Sequence, residues 1–472
     1  MSRDSDLPAP AAALFPPGEV RIGVEDRLTR ALAEVAERIV RGPVMPQIDR
    51  NRLREELQRF DFATPRPLDE LIEWTLGQLE HGVVHMNHPR YFGLFNPAAN
   101  FPSQCADRIS GAFNPQLASS GSSPVPVEIE AHVIRAIARR AGLPPESSGH
   151  FTTAGSEANY TSLICALTRS EPRFAVDGVR AFAGPVAMYT SRDCQPAWFK
   201  IVHQAGVGRA ALRLIDTDDQ GRMDAVALAQ MLQADRSQGL VPVLISTTAG
   251  TTGAGMIDPL AECARIARDH GVWYHVDAAW GGAALVSERL RGLLAGIELA
   301  DSITIDAHKW FATTMGCGMF ITRYPQVLSE AFHVSADFMP STATQLDPYL
   351  NTVQWSRRFL GLRLFLSLAA AGWQGYAQHV ERATAVIARV RERLLARGWT
   401  VANDSQLAVL CVLPPPGYPQ VREIVRRVLA SGRAWVAATR FAGRDVVRIC
   451  ATHGEIAAAD VEELIAALEA TV

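Results

Sequence analysis

The segment ADSITIDAHKW, residues 300–310, places a single lysine, Lys309, between a histidine and an aromatic pair. The chain contains 46 lysines and arginines together, and only Lys200 and Lys309 are lysines. Arginine can replace lysine at most surface sites, but it cannot serve where a neutral amine must attack a carbonyl, because guanidinium keeps its proton in proteins. The pattern therefore favours carbonyl chemistry at Lys309 over a residual surface cation.

Two other motifs occur where an apolar strand is expected to end or a helix to begin. In TTAGSEAN, small residues precede a helix, whose free N–H groups suit a phosphate, with Gly155 and Ser156 as donors. Ordinary helix capping explains that pattern equally well. In YHVDAAWGG, Asp277 ends an apolar strand and needs a cation or hydrogen-bond donors. A phosphate site, a carboxylate for a pyridine nitrogen and a Schiff-base lysine are together what pyridoxal phosphate requires.

The elements that must position these motifs alternate between strands and helices from about residue 125. Apolar stretches such as GPVAMYTS, VPVLISTTAG and VWYHVDAA are separated by helical ones, which predicts an α/β fold with a mostly parallel sheet covered on both faces. Ligands of such sheets bind at the carboxyl ends of the strands. A long helical stretch at 357–398 should break near Gly372, and a small αβ unit follows it.

The segment before the first strand, residues 24–80, shows helical periodicity. Its apolar residues share one helix face: Leu28, Leu32, Val35 and Ile39. Such a stripe must pack either on the body of the protein or on a second subunit. The chain is therefore divided into three predicted units: an N-terminal tail and helical arm (1–95), a large cofactor-binding domain (96–365) and a small C-terminal domain (366–472).

The composition is that of an ordinary globular protein: 472 residues, 48% hydrophobic and 20% charged, with a formal net charge of −3. This charge gives no basic field for nucleic acid and no polybasic patch for a membrane. No apolar run approaches a membrane span, and the first residues do not form a secretion signal. Seven scattered cysteines without a CxxC pair suit reduced thiols in a cytoplasm, and no metal site is expected.

Six motifs occur in order between about residues 80 and 365: HPRYFGLFNPAANFP, TTAGSEAN, STTAGTTGAGMIDPL, HVDAAWGG, DAHKW and RRF. Together they resemble the group II pyridoxal-phosphate-dependent amino acid decarboxylases, which include aromatic-L-amino-acid, glutamate, histidine and diaminobutyrate decarboxylases. The resemblance implies the fold type I, aminotransferase-like architecture, with a large seven-stranded sheet domain, a small C-terminal domain and an N-terminal helical arm. It also implies a homodimer with composite active sites, clasped by the helical arm.

The resemblance further implies roles for individual residues. Lys309 would form the Schiff base with pyridoxal 5'-phosphate, Asp277 would pair with its pyridine nitrogen, and Gly155 and Ser156 would hold its phosphate. Four more residues would lie at or near the cofactor: Ala279, His308, Thr251, and Asp306, where many relatives carry asparagine. Three residues would line the substrate pocket: Phe95, Asn96 and Pro97.

Two positions bear on the outcome of the reaction. Relatives usually place a histidine over the cofactor ring, in a pattern like H-x-S-x-x-K; here QPAWFK puts Gln195 in that place and ends at Lys200. Glutamine can cover a ring and form hydrogen bonds, but it cannot titrate near neutral pH. Relatives also carry a lid tyrosine, and Tyr349 is the only tyrosine in the expected lid, residues 334–350.

These observations predict a homodimeric, cytoplasmic enzyme that decarboxylates an L-amino acid at its α-carbon. Phe92, Phe95 and Phe101 favour an aromatic or large apolar substrate. Because of Gln195, oxygen-dependent decarboxylation and deamination to an aldehyde, or another carbon–carbon transformation, is the alternative. A non-catalytic relative is a third hypothesis, which the retention of Lys309 and Asp277 disfavours.

Overall fold

A seven-stranded sheet forms the centre of the protein, in a computed structural model that describes residues 9–334 and 347–472. Its strands are β1 (Ser148–Thr152), β2 (Val186–Ser191), β3 (Leu212–Ile215), β4 (Val241–Thr248), β5 (Trp273–Asp277), β6 (Ser302–Asp306) and β7 (Gly318–Thr322). They lie in the order β1-β7-β6-β5-β4-β2-β3. Strand β7 is antiparallel to both neighbours, and the remaining pairs are parallel. This confirms the predicted mostly parallel sheet.

Helices accompany the sheet along the whole chain. They are α1 (Ala9–Ala12), α2 (Gly18–Arg41), α3 (Arg50–Leu57), α4 (Leu68–Gly82), α5 (Phe101–Phe113), α6 (Pro124–Arg140), α7 (Gly155–Ser170), α8 (Phe174–Asp177), α9 (Ala197–Gln204), α10 (Ala225–Ser237), α11 (Leu260–Asp269), α12 (Pro325–Phe332), α13 (Pro348–Asn351), α14 (Gly361–Leu395), α15 (Val421–Ser431) and α16 (Ala458–Glu469). Successive residues of β4, Leu244 and Ile245, belong to two different apolar clusters. Both faces of the sheet are therefore buried, as its continuous apolar strands require.

Helix α14 connects the two sheets of the protein and is interrupted at Gly372, which has φ 63°. The predicted break is confirmed, and glycine suits it because this backbone region is unfavourable for other residues. The second sheet has the order β10-β11-β9-β8. Its strands are β8 (Thr400–Val401), β9 (Val409–Leu413), β10 (Ala437–Phe441) and β11 (Arg444–Cys450). Phe92 hydrogen-bonds to Trp435 and Cys450, so this part of the predicted N-terminal unit joins the C-terminal one. The three-unit division stays a prediction.

The N-terminal helices make few contacts with the body of the chain. None of the residues of α2, which is described throughout its length, is buried. Helix α2 pairs instead with α4, through the ion pairs Arg27–Asp69 and Arg38–Glu80, each 2.7 Å long. Large apolar side chains stay exposed nearby, among them Phe101 at 74% and Phe113 at 82% on α5. Apolar surface of this kind indicates an interaction face.

Within residues 9–334 and 347–472, no helix combines the length and the apolar character that crossing a bilayer requires.

Candidate active site

Lys309 lies in the turn that follows β6. Its Nζ is 3.0 Å from Oδ2 of Asp306, the last residue of the strand, and the Lys309 side chain is 21% exposed. The backbone N–H of Asp306 donates to the carbonyl of Ala279 at 2.9 Å, so the turn is held against the end of β5. Lysine and strand-end motif therefore meet at one edge of the sheet, as predicted.

The carboxylate of Asp306 is enclosed by two glycines. A Cβ at Gly155 would lie 2.9 Å from Oδ2 of Asp306, and a Cβ at Gly318 would lie 2.7 Å from its Oδ1. Both positions thus exclude a larger residue unless the carboxylate moves. The Oδ1 atom is buried and finds no hydrogen-bond partner among the described residues. Gly155, at the start of α7, is thereby in direct contact with the lysine turn.

The first turn of α7 has open backbone donors. Ala154 precedes the helix and has no side-chain group that could cap it. Gly155 is buried and Ser156 is exposed. Glu157 turns back and accepts hydrogen bonds from the backbone N–H and the hydroxyl of Thr153, at 2.8 and 2.7 Å. Gly155, which opens this turn, lies against Asp306 and Ala279, since a Cβ there would be 2.9 Å from Oδ2 of Asp306 and 3.4 Å from Cβ of Ala279. The start of a helix suits an anion, because its first backbone N–H groups have no partner within the helix.

Asp277 ends strand β5 and is buried. Its Oδ2 accepts from Nδ2 of Asn159 at 2.8 Å, and its Oδ1 accepts from the N–H of Ala279 at 3.1 Å. Burial raises the pKa of Asp277, while Lys309, Asn159 and Ala279 act in the opposite direction. The negative charge of Asp306 adds a smaller increase. The carboxylate is thus held by two hydrogen-bond donors, and the positive charge of Lys309 acts on it without a direct ion pair.

His308 and Thr251 are both buried beside this edge. Nδ1 of His308 accepts from the N–H of Cys317 at 3.2 Å, so the ring hydrogen is on Nε2, which lies 3.8 Å from Asp306. Burial lowers the pKa of His308, which keeps the ring neutral. The Thr251 hydroxyl accepts from the N–H of Met256 at 3.0 Å and closes the loop after β4.

Gln195 precedes α9, and its side-chain oxygen accepts a hydrogen bond from the N–H of Ala197. Ala197 is the first residue of α9, so the amide oxygen of Gln195 is already engaged within the chain. The neighbouring Cys194 is buried; burial, with a smaller effect of Asp277, raises its pKa to about 12. The charge of Asp277 thus acts on the residue next to Gln195. Lys200, on the same helix, is exposed.

The predicted wall residues run alongside the lysine turn. Phe95 is buried and stacks on Trp280, with ring centroids 4.3 Å apart. Nδ2 of Asn96 lies 3.0 Å from the sulfur of Met315, and Pro97 is half-buried. These contacts bring residues 95–97 to the segment that follows Lys309.

Tyr349 is placed differently from the other predicted residues. It is 5% exposed on the short helix α13, its ring lies 5.2 Å from that of Trp355, and its N–H donates to the carbonyl of Ala118 at 3.1 Å. No contact with Lys309 is seen among the described residues. The rest of the predicted lid, residues 335–346, lies outside the described residues, and the catalytic role of Tyr349 stays a prediction.

Arg448 was missed by sequence reasoning. Its guanidinium carbon lies 4.6 Å from the centre of the Phe95 ring, and it donates to the carbonyls of Thr252 and Gly93, at 2.9 and 2.6 Å. Its Nη2 is buried and meets no acceptor in the part of the chain that the structure describes. The available signal was a single arginine inside the apolar strand DVVRICATH.

Comparison with known proteins decides the family. The model of the pyridoxal-dependent decarboxylase conserved domain matches residues 53–411. The chain belongs to this family. It is 26% identical to an aromatic-L-amino-acid decarboxylase of Bacillus atrophaeus over 87% of both chains. It is 29% identical to an acidic amino acid decarboxylase of Mus musculus, over 73% of this chain and 63% of the relative. The crystal structure of mouse CSAD superposes with a TM-score of 0.90 at 25% identity, covering 96% of this chain and 99% of that one.

The protein is thus a pyridoxal-phosphate-dependent carboxy-lyase of fold type I that decarboxylates an amino acid. The site geometry fits the cofactor. Pyridoxal phosphate needs an amine, a carboxylate and an anion-binding helix start. Lys309, Asp277 and the Gly155 end of α7 supply these groups, and they are linked through contacts of Asp306 and Ala279. The buried, unpartnered oxygen of Asp306 is a further polar atom available at this place.

Proposed function

We propose that the enzyme decarboxylates an L-amino acid with an aromatic or large apolar side chain and releases the amine. The observation that carries this proposal is the convergence of Lys309, Asp277 and Gly155 on one edge of the sheet, beside Phe95. When bound, pyridoxal phosphate supplies an electron sink for the charge left at the α-carbon after loss of CO₂.

Lys309 is the amine that holds the cofactor aldehyde, and Asp306 keeps this amine at the end of β6. Asp277 pairs with the pyridine nitrogen, because an ionised carboxylate there keeps that nitrogen protonated. The N–H groups of Gly155 and Ser156 hold the phosphate at the positive end of α7. Ala279, next to Asp277, leaves room for the ring.

His308 and Thr251 support this arrangement from the sides. The neutral ring of His308 directs its Nε2 hydrogen toward Asp306, 3.8 Å away, and thereby favours the ionised form of that carboxylate. Thr251 fixes the loop after β4 through Met256, which keeps Thr252 in position to bind Arg448. Both are therefore proposed to lie near the cofactor without taking part in bond breaking.

Phe95, Asn96 and Pro97 form the substrate wall. Phe95 is fixed between Trp280 on one side and Arg448 on the other. Its position favours an aromatic or large apolar side chain, since buried aromatic pairs add stabilisation beyond area burial. The unpartnered Nη2 of Arg448 is a donor for the substrate carboxylate, because a buried guanidinium N–H without an acceptor is costly until one arrives.

Gln195 favours a second candidate function, the oxygen-dependent formation of an aldehyde. A histidine over the ring could deliver a proton to the α-carbon, whereas glutamine has no titratable proton. The oxygen of Gln195 is also engaged with Ala197, which leaves only its amide donors for the cofactor. Slow protonation would prolong the life of the electron-rich state and its exposure to dioxygen.

A homodimer with composite sites is part of the proposal. The arm formed by α2 and α4 buries little of its own apolar surface, and α5 exposes Phe101 and Phe113. A second copy of the chain covers these faces and completes the composite sites. The seven cysteines are free thiols, which supports a reducing cytoplasmic location.

Product analysis tests these points together. Purified enzyme loaded with pyridoxal phosphate is incubated with a panel of L-amino acids, in air and under nitrogen, and the products are identified by mass spectrometry. Amine in equal amounts under both gases supports simple decarboxylation. Aldehyde with ammonia and peroxide in air alone supports the second candidate.

The two lysines provide a matched pair of controls. Lys309→Ala should abolish the product and the visible absorption of bound cofactor, while Lys200→Ala should retain both. A Lys309→Ala variant with full activity would overturn the site assignment. Turnover confined to acidic amino acids would overturn the proposed substrate class.

A further inference from the structure

A line of buried hydrogen-bonding groups leads from Asp277, the last residue of β5, back to Trp273, the first residue of that strand. Four contacts connect it: Trp273 Nε1 to Ser302 Oγ (2.9 Å), Ser302 Oγ to His275 Nδ1 (2.8 Å), His275 Nε2 to Asn159 Oδ1 (3.1 Å) and Asn159 Nδ2 to Asp277 Oδ2 (2.8 Å). All five side chains are at most 6% exposed. We refer to Trp273, Ser302, His275 and Asn159 as the relay.

The two ends of the relay fix the direction of every hydrogen bond in it. An indole N–H can only donate, and an ionised carboxylate can only accept. Asn159 must therefore turn its NH₂ group toward Asp277, and its carbonyl accepts from His275. The hydrogen of His275 is then on Nε2, and Nδ1 accepts from the Ser302 hydroxyl, which in turn accepts from Trp273. Each group thus donates toward Asp277.

This uniform direction has an electrostatic consequence. Donors aligned in one sense polarise one another and strengthen the last bond, the one to the carboxylate. Hydrogen bonds to the charged form of a group favour that form. Burial lowers the pKa of His275 to about 3, so the ring stays neutral and keeps its single donor in place. Thr304, whose hydroxyl is 3.3 Å from Nε2, is a second neighbour of that hydrogen.

We propose that His275, Ser302 and Trp273 are positioning residues that act through Asn159 to keep Asp277 ionised and oriented toward the pyridine nitrogen of the cofactor. This rests on the role proposed above for Asp277. Other groups also act on that carboxylate: the Lys309 cation favours its charge, the Asp306 anion opposes it, and the buried thiol of Cys194 is nearby. The relay is the part of this environment that carries no charge of its own and extends away from the reaction.

The relay can be tested by comparing the binding of two cofactors, without measuring catalytic activity. The dissociation constants of pyridoxal phosphate and of its 1-deaza analogue, in which a C–H group replaces the ring nitrogen, are measured by titration of the apoenzyme. The ratio of the two constants reports how strongly the protein prefers a ring nitrogen. General damage to the site weakens both ligands alike and leaves the ratio unchanged.

We expect Asn159→Leu to reduce the preference for pyridoxal phosphate about tenfold, as for loss of a hydrogen bond to a charged group. Ser302→Ala is a milder change. It removes the hydroxyl that donates to Nδ1 of His275, so that the ring hydrogen is no longer fixed on Nε2, and it should reduce the preference for pyridoxal phosphate several-fold. Thr247→Val is the matched control. Thr247 lies on β4, on the other side of β5, and its buried hydroxyl hydrogen-bonds to the Tyr274 hydroxyl at 2.9 Å. This variant should leave the ratio as it is.

Two other outcomes separate the relay from the role of Asp277. If Asp277→Ala abolishes the preference while Ser302→Ala and Asn159→Leu leave it at the wild-type value, the relay is overturned and the role of Asp277 stands. If Asp277→Ala itself leaves the preference unchanged, the proposed role of Asp277 fails, and the relay fails with it.

Discussion

Nζ of Lys309 lies 3.0 Å from Oδ2 of Asp306, and that carboxylate is only 2% exposed. The amine proposed to hold the cofactor is thus paired with an anion at the start of α7, where the cofactor phosphate is proposed to bind. Asp306 therefore has two opposite effects, since it positions the lysine but repels a phosphate and raises the pKa of Asp277.

Replacement of Asp306 by asparagine separates these effects. Asp306→Asn keeps the shape and a hydrogen-bonding oxygen but removes the charge. We expect pyridoxal phosphate to bind roughly tenfold more tightly at low salt, since a like charge at close range is removed. Fluorescence titration of the apoenzyme measures this. Asp301→Asn, at the opposite end of β6, is the control and should not tighten binding; weaker binding to Asp306→Asn would contradict the expectation.

Arg448 is expected to act on substrate binding. Arg448→Met keeps an unbranched side chain next to Phe95 but removes the guanidinium donors. We expect KM for the preferred amino acid to rise about 10- to 100-fold, as for loss of a hydrogen bond to a charged group, while the absorption of bound cofactor stays unchanged. Steady-state kinetics and an absorption spectrum check both points. An unchanged KM would mean that the guanidinium does not meet the substrate.

Gln195 determines the expected partition between products. Gln195→His introduces a group that titrates near neutral pH at the position where relatives carry histidine. If the wild-type enzyme forms aldehyde in air, the variant should shift the product toward amine several-fold, as quantified by mass spectrometry. Gln195→Asn, which cannot titrate, is the control. A shift of equal size in both variants would assign the effect to packing.

His150 gives a pH dependence of stability. It is 5% exposed, and neither ring nitrogen has a partner within the described ranges. Burial, followed by the charge of Arg357, lowers its pKa to about 3. The unfolded chain binds a proton near pH 6.5 and the folded chain does not, so this contribution to stability is present above pH 6.5 and is lost as the pH falls toward 3.

Both proteins should become less stable when the pH is lowered from 7 to 4.5. We therefore expect the free energy of unfolding to fall by about 2–3 kcal/mol less for His150→Phe than for the wild type. Urea unfolding at the two pH values measures the difference. Replacement of the exposed His132 by Phe is the matched control. An identical loss in His150→Phe and wild type would show that this ring is protonated in the folded state as readily as in the unfolded one.

The apolar face of α5 predicts the oligomeric state. Phe113→Asp places a charge on a side chain that is 82% exposed in the single chain. If a second copy covers this face, the variant should dissociate to monomers and lose cofactor affinity, which light scattering after gel filtration detects. Val176→Asp changes an equally exposed apolar residue, 86% exposed on α8, and should remain a dimer. A dimeric Phe113→Asp would place the interface elsewhere.

Sequence reasoning reached the mostly parallel sheet and the break at Gly372, because both depend on local patterns of apolar residues and glycine. The number of strands, seven, came from the family resemblance. Sequence reasoning also brought Lys309 and Asp277 together, since carboxyl ends of neighbouring strands meet at one edge. Their companions were harder to find. Asn159 and His275 both lie within motifs discussed above, TTAGSEAN and YHVDAAWGG, but neither residue was assigned a role.

The roles of His275 and Arg448 follow from strand register and from contacts between residues that are far apart in the sequence. His275 meets Ser302 because β5 and β6 pair with these two residues side by side. Arg448 bonds to Gly93, 355 positions earlier in the chain. Such contacts depend on how the C-terminal sheet packs against the large one, and no periodicity in the sequence encodes that. Tyr349 is the opposite case. The family resemblance predicted it as a catalytic residue, but within one chain its side chain is buried against Trp355.

The scarcity of lysine has a chemical consequence for an enzyme that handles an aldehyde. Of the two lysine amines, Lys200 is exposed and Lys309 is largely enclosed. Free pyridoxal phosphate condenses with accessible amines in general, so a surface rich in lysine would collect stray adducts. Arginine supplies the positive charge here without offering such a nucleophile. The surface is thus nearly inert to its own cofactor, and borohydride trapping should label the chain with high selectivity for the reactive lysine.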